Sequence, residues 1–173
     1  ALEKSGFEVK YIGVDGGGYV DMEQARKLIT PETAVVSVMA ANNEVGTIQP
    51  IRELAALCRE RGALFHTDAV QAAGHIPLDV RELGCDMMSV SAHKLGGLRG
   101  AGLLYIRSGL ELPPLICGGG QENGLRSGTE NTAAIVSMGA AMEYACGDIN
   151  GRSERISVLR DRLIAGMVEI SGR

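Results

Sequence analysis

The feature that most limits what this chain can fold into is a regular alternation of short β-branched runs with helical patterns. Ala34–Met39, Ala63–Thr67 and Asp86–Val90 each read as a short buried strand. Between the first two, Ile51, Leu54, Ala55, Leu57 and Cys58 recur at helical spacing from Pro50 to Arg61, and Gly62 stops the helix. Val80–Leu83 is a shorter helical segment before the third run, and Leu103–Ile106 reads as a further strand. Strands roughly 25–30 residues apart with helices between them make βαβ units, so the pattern predicts an α/β fold with a mostly parallel sheet.

The flanks are less regular. Glu8–Ile12 reads as a short strand ending at Gly16-Gly17-Gly18, and Asp21 as the N-cap of a helix that runs to about Ile29 before Pro31. Pro113-Pro114 interrupts the alternation, and Gly118 to Gly128 is too polar and glycine-rich for helix or strand. Thr129 or Asn131 caps an alanine-rich helix from Thr132 to about Cys146. After Gly151 a last amphipathic helix carries Ile156, Leu159, Leu163 and Met167 on one face.

In a parallel sheet the loops after the strands line up along one edge, where α/β folds bind ligands. Three of those loops carry polar clusters: Asn42-Asn43-Glu44, then Asp68 and Gln71, then Ser91-Ala92-His93-Lys94 ahead of the glycine-rich stretch 95–102. A lysine at a strand end, followed by glycines that admit other groups close to the backbone, is placed to react. Partial desolvation lowers the pKa of its ammonium, and a neutral amine forms a Schiff base with an aldehyde. Pyridoxal phosphate (PLP) is the aldehyde that suits this set. Ser91 and His93 offer donors to its phosphate, and Asp68 a carboxylate that keeps its pyridine nitrogen protonated, which makes the ring an electron sink. Gln71 and Asn43 are amides for its phenolic oxygen. Singly, each residue has a plainer reading: a solvated Lys94, a helix-capping Asp68, a turn-forming Asn43, a half-buried strand His66, a surface His75. Their order, one cluster after each strand, is what joins them.

Other classes fall away. A net charge of −4 and a pI near 5.4, with no basic patch, argue against a nucleic-acid partner. No apolar run approaches the roughly 20 residues of a membrane span. Cys58, Cys85, Cys117 and Cys146 lack the spacing of a zinc or dithiol motif, so no metal site is expected. Scattered thiols without a secretory leader fit a reducing cytoplasm. The opening Ala1-Leu2-Glu3-Lys4 reads as the start of an internal piece of a longer chain.

Ala41-Asn42-Asn43-Glu44-Val45-Gly46-Thr47-Ile48-Gln49-Pro50-Ile51, His66-Thr67-Asp68-Ala69-Val70-Gln71 and Ser91-Ala92-His93-Lys94 resemble the PLP-dependent cysteine desulfurases, in the class V branch of fold-type I aminotransferases. The loop Gly118-Gly119-Gly120-Gln121-Glu122-Asn123-Gly124-Leu125-Arg126-Ser127-Gly128-Thr129-Glu130-Asn131 resembles them too, and more specifically. The resemblance covers nearly the whole chain. It implies a three-layer αβα sandwich of the PLP-transferase large-domain type, with residues 1–150 the central part of that domain and 151–173 the start of a helix leading to a small C-terminal domain. It implies an enzyme that removes sulfur from L-cysteine, leaving L-alanine and an enzyme persulfide, in the service of iron–sulfur cluster assembly or a related pathway.

The resemblance also assigns roles. Lys94 and His93 are the catalytic positions, Lys94 holding the cofactor covalently and shuttling the α-proton. Asn43, Asp68, Gln71, Ser91, His93, Lys94 and Thr129 are cofactor-binding. Thr129 matches a threonine that reaches the phosphate of the neighbouring subunit's cofactor, which implies a homodimer with shared active sites. A sulfur-acceptor protein is a further implied partner. Leu98 departs from the family, which usually has proline there. A second phosphate loop, a histidine stacked on the ring, the persulfide-forming cysteine and the arginine for the substrate carboxylate match nothing in these residues. Two other readings stay open: another class V enzyme, such as a selenocysteine lyase or a transaminase-like member, and a truncated, non-catalytic, dimer-forming module.

Overall fold

The computed structural model of the chain describes residues 2–172. Among them, β1 (Val35–Met39), β2 (Leu64–Asp68), β3 (Met87–Ser91) and β4 (Gly102–Ile106) form one sheet in that order. β1 and β2 are parallel, with Ser37 opposite His66 and Met39 opposite Asp68. β2 and β3 are parallel, with Asp68 opposite Ser89. A parallel pair needs a long crossover, and the segments carrying α2 (Ile51–Arg61) and α3 (Val80–Leu83) supply the two. The connection 92–101 carries no such helix, and β4 runs the other way: Arg107 N donates to Asp86 O at one end, and Ala92 N to Ala101 O at the other. The α/β fold and mostly parallel sheet expected from the alternation are those formed.

The chain divides into two compact units. The first comprises the described residues of Ala1–Gln71, Asp79–Val90 and Leu103–Thr129. Its α1 (Met22–Leu28) begins where expected, because the Asp21 carboxylate accepts from Gln24 N at 3.0 Å. Its α2 ends at Gly62, whose φ of 77° is the left-handed conformation that closes a helix with little strain only at glycine. α2 buries Ile51, Leu54, Ala55, Leu57 and Cys58 and packs on β2. Along β2, Phe65 and Thr67 are buried, whereas Leu64 and His66 are half-buried and Asp68 is exposed, the period-2 signature of a strand with one face in the core.

The expected strand at Glu8–Ile12 does not form. Tyr11 is exposed, and the nearest ladder contact is an isolated antiparallel bridge between Val14 and Val20. Alternating residues make a strand only when a neighbour offers its hydrogen bonds. The stretch that follows, Gly17–Val20, is held by side chains, with Thr47 Oγ1 donating to Gly17 O at 2.6 Å and Gln49 bridging Val20 N and Gly18 O.

The second unit comprises Ala72–Leu78, Ser91–Gly102 and the described residues of Glu130–Arg173. Its α4 (Thr132–Gly147) packs on the 3-10 turn Ala92–Lys94, and Leu98 N donates to Ser137 Oγ at 3.0 Å. The last helix, α5 (Ile149–Ser171), starts at Ile149, ahead of the expected start after Gly151, because Asp148 caps it by accepting from Gly151 N. Arg152 ties α5 to its own unit through Gly74 O at 2.8 Å and Ala145 O, with its guanidinium over the Tyr144 ring. None of the residues of α5 is buried, so the face of Ile156, Leu159, Leu163 and Met167 is exposed.

Thr67 is an anomaly in the core of the first unit. It lies between Val38 and Met88 in the sheet register, is fully buried, and its Oγ1 has no hydrogen-bond partner among the described residues. An unpaired buried hydroxyl costs about 1–3 kcal/mol. Thr67→Val, which keeps the shape and removes the hydroxyl, is expected to stabilise the protein by about 1 kcal/mol, a rise in Tm of roughly 3 °C for a chain of this size. Thermal unfolding followed by circular dichroism checks this, and a lowered Tm contradicts it.

Candidate active site

The first unit holds Asn43, Asp68, Gln71 and Thr129, and the second holds Ser91, His93 and Lys94. The loop after β1 is shaped by Asn42 rather than Asn43. Asn42 Oδ1 accepts from Glu44 N at 2.8 Å and Val45 N at 3.0 Å, and Gly46, with φ 79°, returns its N–H to Asn42 O. The turn duty considered for Asn43 therefore falls on its neighbour, and Asn43 is exposed, with no side-chain hydrogen bond among the described residues. The ends of β1 and β2 are joined by Ala40 N donating to Asp68 O at 2.8 Å.

Asp68 closes β2. Its Oδ1 accepts from Val70 N at 2.9 Å, and a run of turns follows rather than a helix, so the helix-cap reading of Asp68 fails. One oxygen of the carboxylate shapes the turn, and Oδ2 has no hydrogen bond among the described residues. Gln71, half-buried in that turn, has an uncommitted amide among the described residues.

His66, on the same face of β2 as Asp68, is held at both nitrogens: Nδ1 lies 2.8 Å from Ser37 Oγ, and Nε2 lies 2.8 Å from Ser89 Oγ. Burial lowers its pKa below the ordinary imidazole value, against a smaller opposing pull from the Asp68 charge. A neutral ring serves this chain, since each nitrogen already faces a hydroxyl that both donates and accepts.

In the second unit, β3 leads into the 3-10 turn Ala92–Lys94. Ser91 Oγ and His93 Nδ1 are 2.8 Å apart, a hydroxyl–imidazole pair already formed within the chain. Lys94 is exposed, and its ammonium makes no ion pair or hydrogen bond among the described residues. The partly desolvated lysine expected from the sequence is thus a solvated one in this chain. Behind the turn, a Cβ at Gly97 would stand 3.2 Å from Ala92 O and 3.3 Å from its side chain, so the glycine permits a close approach.

Thr129 is exposed at the end of the 118–128 loop. It does not cap α4, because Asn131 Oδ1 accepts from Ala134 N at 3.2 Å. The cysteines separate into two kinds. Cys58 and Cys85 are buried, and burial, helped by the Asp86 carboxylate, pushes the Cys58 thiol up to about 11 and raises Cys85 as well. Cys117 and Cys146 are exposed. No group of three or more metal-ligating side chains and no helix long and apolar enough to cross a membrane occur among the described residues.

With strand-end residues of this kind on an open, mostly parallel sheet, the chain belongs to the class-V aminotransferase family, whose model matches residues 1–173. It is 52% identical over 166 residues to the cysteine desulfurase IscS of Clostridium botulinum (strain Hall), a match over 96% of this chain and 42% of that protein. Among solved structures it resembles a NifS-like protein, with TM-score 0.93 and 45% identity over 97% of this chain and 47% of that one. It also resembles SspA in complex with cysteine, with TM-score 0.79 and 42% identity over 82% of this chain and 42% of that one. The chain thus spans about 42% of the length of the curated relative.

Proposed function

We propose that this chain is the cofactor-binding segment of a cysteine desulfurase, which takes sulfur from L-cysteine and releases L-alanine. The observation that carries this reading is the turn leaving β3, where an unpaired lysine ammonium follows a preformed Ser91–His93 pair. The donor set fits pyridoxal phosphate: an amine for the aldehyde, a carboxylate with a free oxygen for the pyridine nitrogen, a hydroxyl and an imidazole for the phosphate.

When bound, the cofactor supplies an electron sink for the pair released from the substrate α-carbon. The chain's own side chains do the rest. Lys94 Nζ takes the α-proton and returns a proton to the product. The Asp68 carboxylate keeps a proton on the ring nitrogen. Ser91 and His93 would hold the phosphate, His93 also serving with Lys94 as a catalytic side chain, while Gln71 and Asn43 would orient the phenolic oxygen. Thr129 reaches the phosphate in a second copy of the chain, which makes the enzyme a homodimer. A cysteine thiolate outside these residues accepts the sulfur and passes it to an acceptor protein. Free rather than paired thiols support a cytoplasmic setting.

The sequence makes the test clean. Its lysines are Lys4, Lys10, Lys27 and Lys94, so a single candidate lies beyond residue 27. Mixing the protein with PLP, reducing with borohydride and mapping peptides is expected to place the pyridoxyl group on Lys94. Modification spread over Lys4, Lys10 and Lys27, in a sample that circular dichroism shows to be folded, would sink the assignment.

A further inference from the structure

We propose that Gln121 is a positioning residue that aims Thr129, an inference that rests on the cofactor-binding reading above. The loop ahead of Thr129 is closed on itself by bonds that converge on its two ends. Leu115 N donates to Leu125 O at 2.7 Å and Ser127 N to Ile116 O at 2.9 Å, which join the stems. Ser127 is buried, and its Oγ lies 3.3 Å from Gly120 N. The last tie is Gly128 N donating to Gln121 Oε1 at 3.1 Å. That bond holds the Ser127–Gly128 peptide, one residue ahead of Thr129.

The loop is built around these ties. A Cβ at Gly119 would stand 2.9 Å from Gln121 Oε1 and 3.1 Å from its Nε2, so glycine makes room for the amide. Gly118 and Gly128 have φ of 154° and 118°, and a Cβ at Gly118 would stand 3.1 Å from the Ser127 Cβ. Between the ties the chain reverses through Glu122 and Asn123, at φ 50° and 56°, in a conformation side-chain-bearing residues adopt only when their surroundings impose it. Thr129 itself is exposed, and its hydroxyl has no hydrogen bond among the described residues, so its direction is set by the backbone that carries it. With Gln121 removed, the Ser127–Gly128 peptide keeps only the longer tie from Arg126 Nη1 to Ser127 O at 3.5 Å, and Gly128, a glycine with wide conformational freedom, lets Thr129 sample more directions.

The test is a double-mutant cycle on cofactor affinity in the whole enzyme that carries this chain, with Gln121→Met, Thr129→Val and the pair. PLP is titrated into apo protein and followed by the visible absorbance of the bound form. Each single change is expected to weaken binding about five- to tenfold, and the pair no more than the worse of the two, since both remove one contact. Hydrogen exchange at the Gly128 amide is read in the same apo proteins and is expected to quicken about tenfold in Gln121→Met alone. Wild-type affinity in Gln121→Met beside a weakened Thr129→Val overturns the brace and leaves the phosphate role standing, as do singles whose effects multiply. Wild-type affinity in Thr129→Val overturns both. Should Gln121→Met fold poorly, Gln121→Ala enters the same cycle, and unchanged exchange at Gly128 in either variant overturns the proposal.

Discussion

On the proposed function, Lys94→Ala in the whole enzyme is expected to lower the rate of L-alanine release from cysteine by at least about a thousandfold, since it would remove both the covalent anchor and the proton carrier. Within this chain the other lysines are Lys4, Lys10 and Lys27, and Lys10 already pairs with Glu8. The same change should leave folding almost untouched. Lys94 is exposed and unpaired among the described residues, and surface changes of that kind move stability by about 0.5 kcal/mol or less. Equal unfolding curves with lost turnover locate the defect in the chemistry. Turnover retained in Lys94→Ala removes the central claim about this site.

Phe65→Ala tests the scaffold in the opposite sense, with a large loss of stability and no chemical group removed. Phe65 is fully buried on the face of β2 that α2 covers, and truncating such an aromatic costs about 3–5 kcal/mol through lost burial and the cavity left behind. Against a typical total of about 5–15 kcal/mol, that is about a fifth or more. Denaturant unfolding is expected to show a sharply lowered midpoint, with Phe65→Leu between the two. A midpoint shift under about 1 kcal/mol would mean that β2 is not the strand on which this core is centred.

Most of the sheet was legible because its strands are buried runs bounded by residues with one dominant meaning. Asp21 before α1 and Gly62 after α2 acted as those residue types act elsewhere. The failures have physical causes. Glu8–Ile12 has strand-like alternation, but a strand is a property of a pair, and no sequence window shows whether a partner is present. Asn42 and Asn43 are chemically identical and adjacent, so only the turn geometry decides which one spends its carbonyl on the backbone. Asp68 was easy to place at a strand end and hard to interpret, since a cap and a free carboxylate call for the same residue. The Ser37–His66–Ser89 chain left no signal, because its members lie on three strands and meet only through register. Gln121 was hidden likewise, an amide in a glycine-rich loop whose partner is a backbone N–H seven residues on.

Asp86, just ahead of β3, accepts from Phe65 N through Oδ2 at 2.8 Å and from Arg107 Nε through Oδ1 at 2.7 Å. Its own backbone N–H donates to Phe65 O, and its carbonyl accepts from Arg107 N. One residue therefore grips the strands on both sides of it, at the edge of the sheet away from Asp68. From Phe65 to Asp68 is three residues of extended chain, about 10 Å. A slip of one residue at that grip would turn Asp68 to the buried face and bring Thr67 out in its place. The Asp68 end of the sheet is thus measured from the far one, with Asp86 as its zero mark, and wear at that distant point is felt as misalignment at the carboxylate.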